Sequence, residues 1–409
     1  MNQRNPNSVL TKAALLLTST LTIMSGATIA PSLPTMEDLF SSVSNAENIE
    51  ILIRLVITLP ALFIVIGSPI AGVIVDKLGR KKLLLAGVIF YGFAGASGFL
   101  LNDLPTILIG RAFLGLSVAS VMVSATTLIA DYYIGAARAT FMGLQAAFMG
   151  LGGVIFLSVG GALASASWRY PFLIYLFSWL LIPLIIFYIY EPRHMRANRE
   201  LIVQDRQNNN LSVPVNLLLM IFGFTTLMQV IFYLIPVQLP FYLRALTNAT
   251  PQQSGNAIAC CTLFSAIASL FYGKLRAKLD FVRIMPIIFG LFGIGYAIIG
   301  LVNSYILVLV GLSIAGLGLG LLMPNMTVWV SASVPDTIRG RALGGLSTSF
   351  FLGQFISPIV TQPIIMKFGL GSTYSYAGGL LLGVGILFFV MRHQVIALTA
   401  NLTKLQSKS

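Results

Sequence analysis

The chain has 409 residues, of which 57% are hydrophobic and only 9% are charged, and its mean hydropathy is +0.90. Soluble proteins carry about 25% charged residues, so this composition excludes a water-soluble fold and predicts an integral membrane protein. A net charge of +13 would suggest nucleic-acid binding in a soluble protein. Here the cations are better explained as determinants of membrane topology, and we expect no nucleic-acid partner.

Twelve apolar runs are long enough to cross a bilayer as helices, which takes roughly 20 residues. They are continuous rather than alternating, so strands are not expected. The first run is too long for a cleavable signal peptide. The predicted segments 1–12 lie at about 9–32, 51–75, 83–101, 105–130, 139–163, 171–190, 214–243, 253–273, 282–302, 305–330, 341–366 and 374–392.

Basic residues fix the expected orientation. With the N-terminus inside, the cytoplasmic loops and tails carry most of the 25 Lys and Arg residues, which is the usual bias of membrane proteins. We therefore expect both termini in the cytoplasm, and a multi-pass protein of the cell membrane. Arg54 and Arg169 are expected outside, near segment boundaries.

Segment 1 carries a polar stripe at Thr18, Thr22 and Ser25, which the helical repeat places on one face. Small hydroxyl residues often mediate helix–helix packing. The stripe could equally form one wall of a central cavity.

The most distinctive stretch runs from Gly72 to Lys82 and reads Gly-Val-Ile-Val-Asp-Lys-Leu-Gly-Arg-Lys-Lys. Its cations alone would mark a cytoplasmic loop. Together with Gly72, Asp76 and Gly79 they resemble the signature between helices 2 and 3 of the major facilitator superfamily. The resemblance implies two six-helix bundles, and a latch between them formed by Gly72, Asp76, Gly79, Arg80 and Lys81 in the outward-facing state.

Arg111 falls inside segment 4, where an ionisable group is costly and is by default a functional hypothesis. The run Gly110-Arg111-Ala-Phe-Leu-Gly115 is similar to the family's helix-4 pattern, which implies a role in proton transfer or substrate binding. The alternative is an arginine that snorkels to the interface or bonds to carbonyls of segment 1.

Segment 5 ends in Gly160-Gly161 and thus carries part of the helix-5 pattern of the drug–proton antiporters in this superfamily, without its Gly-Pro. The chain is similar to the drug-exporter branch in this respect. The sugar-porter mark after helix 6 is absent, because Glu191-Pro-Arg193 is only a fragment of it.

The longest polar stretch divides the segments six and six. We therefore predict an N-terminal bundle at 1–190, a cytoplasmic linker at 191–213 and a C-terminal bundle at 214–409. Gly273, which precedes the basic turn after segment 8, corresponds to Gly72 and suggests that the two halves are repeats.

Several amide and aromatic side chains inside the segments could contact a substrate. Interhelical hydrogen bonding explains each of them equally well. The candidates are Gln145, Gln229, Tyr233, Asn325 and Trp329.

Carboxylates are absent from the middle of every predicted segment. This disfavours a strongly cationic substrate and favours a neutral or anionic one, with Arg111 as the countercharge. Proton coupling, if it occurs, would use a boundary acid such as Asp131, which lies near Arg138 between segments 4 and 5.

No nucleotide-binding loop, catalytic triad or metal-ligand set is recognisable, so we expect neither an enzyme nor a bound cofactor. The prediction is an all-α membrane protein that works by alternating access and exports a small neutral or anionic compound. We expect it to act as a monomer, and whether protons are the coupling ion is left open. The alternatives are symport uptake of a small organic anion, or a non-transporting membrane sensor on the same scaffold.

Overall fold

The computed structural model describes residues 6, 8–43, 48–192 and 215–406. Twelve helices in this part of the chain are long and apolar enough to cross a membrane. The N-terminal bundle contains α1 (Val9–Ala27, a 3₁₀ turn at Ala30–Ser32, and Leu33–Val43), α2 (Ile49–Leu78), α3 (Arg80–Ala96), α4 (Leu104–Tyr132), α5 (Gly135–Ala166) and α6 (Tyr170–Leu176, Phe177–Leu180 and Ile182–Tyr188). The C-terminal bundle contains α7 (Val215–Phe232 and Leu234–Thr247), α8 (Pro251–Lys278), α9 (Phe281–Leu301), α10 (Tyr305–Ser333), α11 (Asp336–Phe368) and α12 (Leu370–Gln406).

All twelve predicted segments are confirmed as helices. The prediction was wrong at the end of segment 1, where the chain continues as the helix Leu33–Val43. Pro31 and Pro34 lie at this boundary, and each stands in the first turn of a new helical piece, where a missing N–H is tolerated. Most of the predicted linker, from residue 193 on, lies outside the described residues.

We call the two ends of the bundles the basic end, which carries the loop between α2 and α3, and the acidic end, which carries Glu37, Glu50 and Asp103. The bundles meet where α2 packs along α11 and α5 packs along α8. Towards the acidic end, a Cβ added to Gly161 would lie 3.0 Å from the carbonyl oxygen of Pro251 in α8. Gly161 therefore allows close contact between the bundles.

Towards the basic end the glycines of α2, α5 and α8 have no close neighbours. At Gly72, Gly143 and Gly273, which lie on α2, α5 and α8, an added Cβ would meet no described atom within 4 Å. The hydrogen bonds and the ion pair that join described residues of the two bundles all lie at the acidic end, and we infer that the seam is closed there and open towards the basic end.

Candidate functional site

The α2–α3 turn depends on Gly79, whose backbone has φ +95° and ψ 156°. Only glycine adopts this region readily. The turn directs the first two backbone amides of α3 towards the carboxylate of Glu191. The Arg80 backbone N–H donates to Glu191 Oε1 at 2.8 Å, and the Lys81 backbone N–H donates to Oε2 at 2.9 Å. Amides at a helix N-terminus lack helical partners and attract an anion. Glu191, which the sequence analysis assigned only to the linker and to a fragment of the sugar-porter mark, is therefore the anchor of this turn.

The basic residues of the turn also bind within their own bundle. Arg80 Nε lies 3.2 Å from Asp131 Oδ2, and the Asp131 side chain is only 2% exposed. Lys81 Nζ donates to the Ile186 carbonyl at 2.7 Å. These contacts tie α3 to the ends of α4 and α6. Arg138 is exposed at the start of α5.

Asp76 is exposed at the basic end, where the bundles are apart. The resemblance places the latch of Gly72 and Asp76 in the outward-facing state. That role of the turn stays a prediction.

Arg111 is buried, with 1% of its surface exposed. Its Nε donates to the Val56 carbonyl at 2.7 Å, and its Nη2 donates to the Ser25 carbonyl at 2.7 Å. Val56 needs this partner because Pro60, four residues on, has no N–H for the helical bond. Ser25 lies in the last turn of Val9–Ala27, where carbonyls also lack helical partners.

The bond to a carbonyl of α1 is the one that the structural alternative for Arg111 predicted. The third guanidinium nitrogen, Nη1, is also buried and has no hydrogen-bond partner among the described residues. The site also lies near the seam. Gly26, next to Ser25, would place an added Cβ 3.1 Å from the Tyr233 hydroxyl of the other bundle.

A pair of tyrosines packs near the interruption in the first helix of each bundle, which lies between Ala27 and Leu33 in α1 and at Tyr233 in α7. The sequence analysis did not identify these tyrosines. In the N-terminal bundle, Tyr91 donates to the Leu21 carbonyl at 2.8 Å, and the rings of Tyr91 and Tyr175 lie 5.8 Å apart. The C-terminal bundle repeats this arrangement, so the two halves are similar in side-chain packing as well as in hydropathy.

In that bundle the pair is Tyr296 of α9 and Tyr374 of α12, with ring centroids 5.6 Å apart. Tyr296 donates to the Ile231 carbonyl and Tyr374 to the Leu234 carbonyl, both at 2.8 Å. The four tyrosines come from α3, α6, α9 and α12, which are equivalent helices in a six-helix repeat. Comparing the two halves for aromatic residues could have revealed them.

The polar stripe of α1 is partly satisfied by its own helix. Thr18 is buried and donates to the Ala14 carbonyl, and Ser25 Oγ donates to the Thr22 carbonyl at 2.8 Å. Thr22 is half-buried. The role of the stripe as a cavity wall stays a prediction.

Two of the amide candidates form interhelical bonds. Gln145 Nε2 of α5 donates to Ser19 Oγ of α1 at 2.8 Å. Asn325 Nδ2 donates to the Phe281 carbonyl at 3.0 Å, and its Oδ1 accepts from Tyr272 at 3.3 Å. The interhelical alternative therefore fits both residues in this conformation.

Two further candidates are buried without polar partners. Both amide atoms of Gln229 lack a hydrogen-bond partner among the described residues, as does Trp329 Nε1. The Trp329 ring stacks on Phe281 at 5.4 Å, inside the C-terminal bundle. The structure therefore does not bring Trp329 and Arg111 into one cluster, and their roles in substrate binding stay predictions.

Arg54 is not the boundary cation that the sequence suggested, because it is only 4% exposed. It lies within α2 and donates to Glu37 of α1 at 2.6 Å and to Gln238 of α7 at 3.1 Å. No pattern in the sequence indicated that these separated residues would meet. Among the described residues, no three His, Cys, Asp or Glu side chains form a group that could hold a metal ion.

A family model described as Major Facilitator Superfamily matches residues 15–247 and 221–404. The quinolone resistance protein NorA of Staphylococcus aureus is 23% identical over 352 residues, which cover 82% of this chain and 86% of NorA. A putative proline/betaine transporter of the same species is 25% identical over 362 residues, covering 81% of this chain and 76% of that protein.

Solved structures share the fold at lower identity. The crystal structure of a D-xylose–proton symporter superposes with a TM-score of 0.79 at 16% identity, covering 93% of this chain and 96% of that one. A bacterial homologue of the human lysosomal transporter Spinster, inward-facing and occupied, gives a TM-score of 0.72 at 17% identity, covering 98% and 97%.

Proposed function

This chain belongs to the major facilitator superfamily of secondary membrane transporters, and we propose that it exports a small neutral or anionic organic compound by alternating access. With the basic end in the cytoplasm, as the cation bias favours, the seam is closed to the outside and open to the inside. This is the conformation in which an exporter takes up its cargo.

Arg111 is the observation that carries the choice of cargo. Its hydrogen bonds go to the neutral carbonyls of Val56 and Ser25, and among the described residues no carboxylate pairs with it. Among the described residues its positive charge is therefore balanced by two carbonyl dipoles and by the Tyr175 ring, whose centroid lies 5.1 Å from the guanidinium carbon, but not by an anion, in a buried place beside the seam. An anionic or electron-rich group on the cargo would fit that charge, and a cation would be repelled.

The names of two relatives bear on the direction of transport. NorA is named for quinolone resistance, which favours export. The putative proline/betaine transporter, at a similar identity, supports the second candidate, uptake of a small organic anion by symport. Binding of an anionic group by Arg111 is compatible with export and with uptake.

Ligand binding to the purified protein tests the site. We expect a library of neutral and anionic compounds to raise the melting temperature of the wild type, and Arg111→Gln to abolish that rise. Arg169→Gln is the matched control, because Arg169 also donates to carbonyls, to Phe99 at 3.1 Å, but at the acidic end, where its partners belong to the connection between α3 and α4. If Arg111→Gln binds the same compounds as the wild type, the site is elsewhere.

Direction and coupling need separate assays. Expression in a strain that lacks its own exporters should raise the tolerated concentration of compounds found in the binding screen. Lowered tolerance would instead favour uptake. A pH jump across proteoliposomes tests the coupling ion, since substrate movement without proton movement would exclude proton coupling.

A further inference from the structure

Five side chains at the acidic end form one hydrogen-bonded group, which we call the Arg54 cluster: Glu37, Glu50, Arg54, Gln238 and Gln362. We propose that this cluster is the external gate of the transporter, which must break for the protein to open outwards. The proposal rests on the alternating access and orientation of the proposed function.

The ionic half of the cluster lies within the N-terminal bundle. Arg54 Nη1 of α2 donates to Glu37 Oε2 at 2.6 Å and to the Glu50 carbonyl at 2.7 Å. The exposed fraction of the side chain is 5% for Arg54 and 24% for Glu37. A charge held in this way stays paired when the two bundles move apart.

The amide half crosses the seam. Arg54 Nε donates to Gln238 Oε1 of α7 at 3.1 Å, and Gln238 Nε2 donates to Gln362 Oε1 of α11 at 3.0 Å. Gln362 Nε2 returns across the seam to the Glu50 carboxylate. The Arg54 guanidinium also lies 4.4 Å from the ring centroid of Phe241 in α7.

This division of bonds suits a gate. Opening breaks two hydrogen bonds to glutamine side chains and one cation–π contact, while the Arg54–Glu37 ion pair remains intact. Each of the two bonds joins a neutral amide to a charged group, but even the strongest interhelical hydrogen bonds measured in a membrane protein contribute only about 1.7 kcal/mol, so the closed state is favoured by a margin that a transport cycle can overcome. An ion pair across the seam at the same buried place would be much harder to separate.

A second contact between the bundles provides a control. Arg244 and Asp38 form an ion pair at 2.6 Å at the same end, but 49% and 61% of their side-chain surfaces are exposed. Exposed pairs contribute little because water and salt screen them. Asp38→Asn should therefore leave the gate closed, although Asp38 is the neighbour of Glu37.

Distances between spin labels at Leu100 and Leu301 test the proposal. These residues are 75% and 74% exposed at the outer ends of the N- and C-terminal bundles. Cys260 and Cys261 are first replaced by alanine. We expect Gln238→Leu and Gln362→Leu each to lower the closed-to-open ratio about three- to twentyfold, the range for the one interhelical bond that each removes across the seam.

Two substitutions at Glu50 separate hydrogen bonding from charge. Glu50→Gln can still accept from Gln362 and should stay closed, whereas Glu50→Leu should open. The proposal is overturned if both glutamine variants show the wild-type distances, or if Asp38→Asn opens the protein as much as they do.

Labelling in intact cells gives a readout that needs no purification. Ser32 of α1 is buried five residues before Glu37. A Ser32→Cys reporter should be protected from an impermeant maleimide, and Gln238→Leu should expose it. Continued protection would contradict the gate. Neither readout uses a substrate, so failure of the gate and failure of the proposed cargo or direction are distinguishable.

Discussion

The contact between Arg111 and the Val56 carbonyl exists because Pro60 supplies no N–H, and this leads to a test that separates the structural role of Arg111 from its role in transport. Arg111→Met removes both 2.7 Å bonds to carbonyls. At about 0.6–1.7 kcal/mol for each interhelical bond, we expect a loss of about 1–3 kcal/mol in the free energy of unfolding.

Pro60→Ala restores an N–H that can reach the Val56 carbonyl within α2. In the wild type it should change stability little, because the carbonyl already has Arg111 as its partner. In the Arg111→Met background it should recover about 1 kcal/mol, since an orphaned buried carbonyl is costly. The double variant should still fail to transport, because the charge is missing.

The assay is a double-mutant cycle measured by denaturant unfolding in detergent, with transport in proteoliposomes measured alongside. Pro69→Ala is the matched control in the same helix, because Pro69 faces the surface and frees a carbonyl that Arg111 does not contact. A coupling energy near zero, or an equal one for Pro69→Ala, would refute the reasoning. Recovery of transport by the double variant would show that Arg111 is purely structural.

Three further predictions concern the α2–α3 turn. Gly79→Ala should lower the free energy of unfolding by about 1–3 kcal/mol because its backbone region suits only glycine, whereas Gly72→Ala should leave the melting temperature unchanged or raised. Glu191→Ala should accelerate hydrogen exchange of the first amides of α3, and Glu191→Gln should do so less because it still accepts their bonds; equal protection in all three proteins would contradict the anchor role. Asp76→Asn should slow transport while membrane insertion stays normal, and transport at the wild-type rate would exclude a latch that needs this charge.

The helices could be predicted from the sequence because hydropathy is a local property. Each bilayer crossing requires a continuous apolar run, whatever its neighbours are. The end of segment 1 was misplaced because Pro31 and Pro34 are compatible both with a helix end and with the first turn of a new helix.

The site was only partly predictable. Arg111 stood out because a cation inside an apolar run is rare. Its partners, the carbonyls of Val56 and Ser25, could not be predicted. The sequence shows that Pro60 leaves a carbonyl without its helical N–H, but not which distant side chain donates to that carbonyl instead. Arg54 lies only a few residues inside its segment and therefore resembled a boundary cation.

By itself, the sequence determined the membrane environment, the twelve helices and the family-like turn from Gly72 to Lys82. Each depends on neighbouring residues along one stretch of chain. Only the tertiary structure decided that Glu191 anchors that turn, that four tyrosines repeat between the bundles, and that Arg54 meets Gln238, which is 184 positions away. The physical reason is that these bonds form between helices brought together by packing, and packing depends on the shapes of whole surfaces.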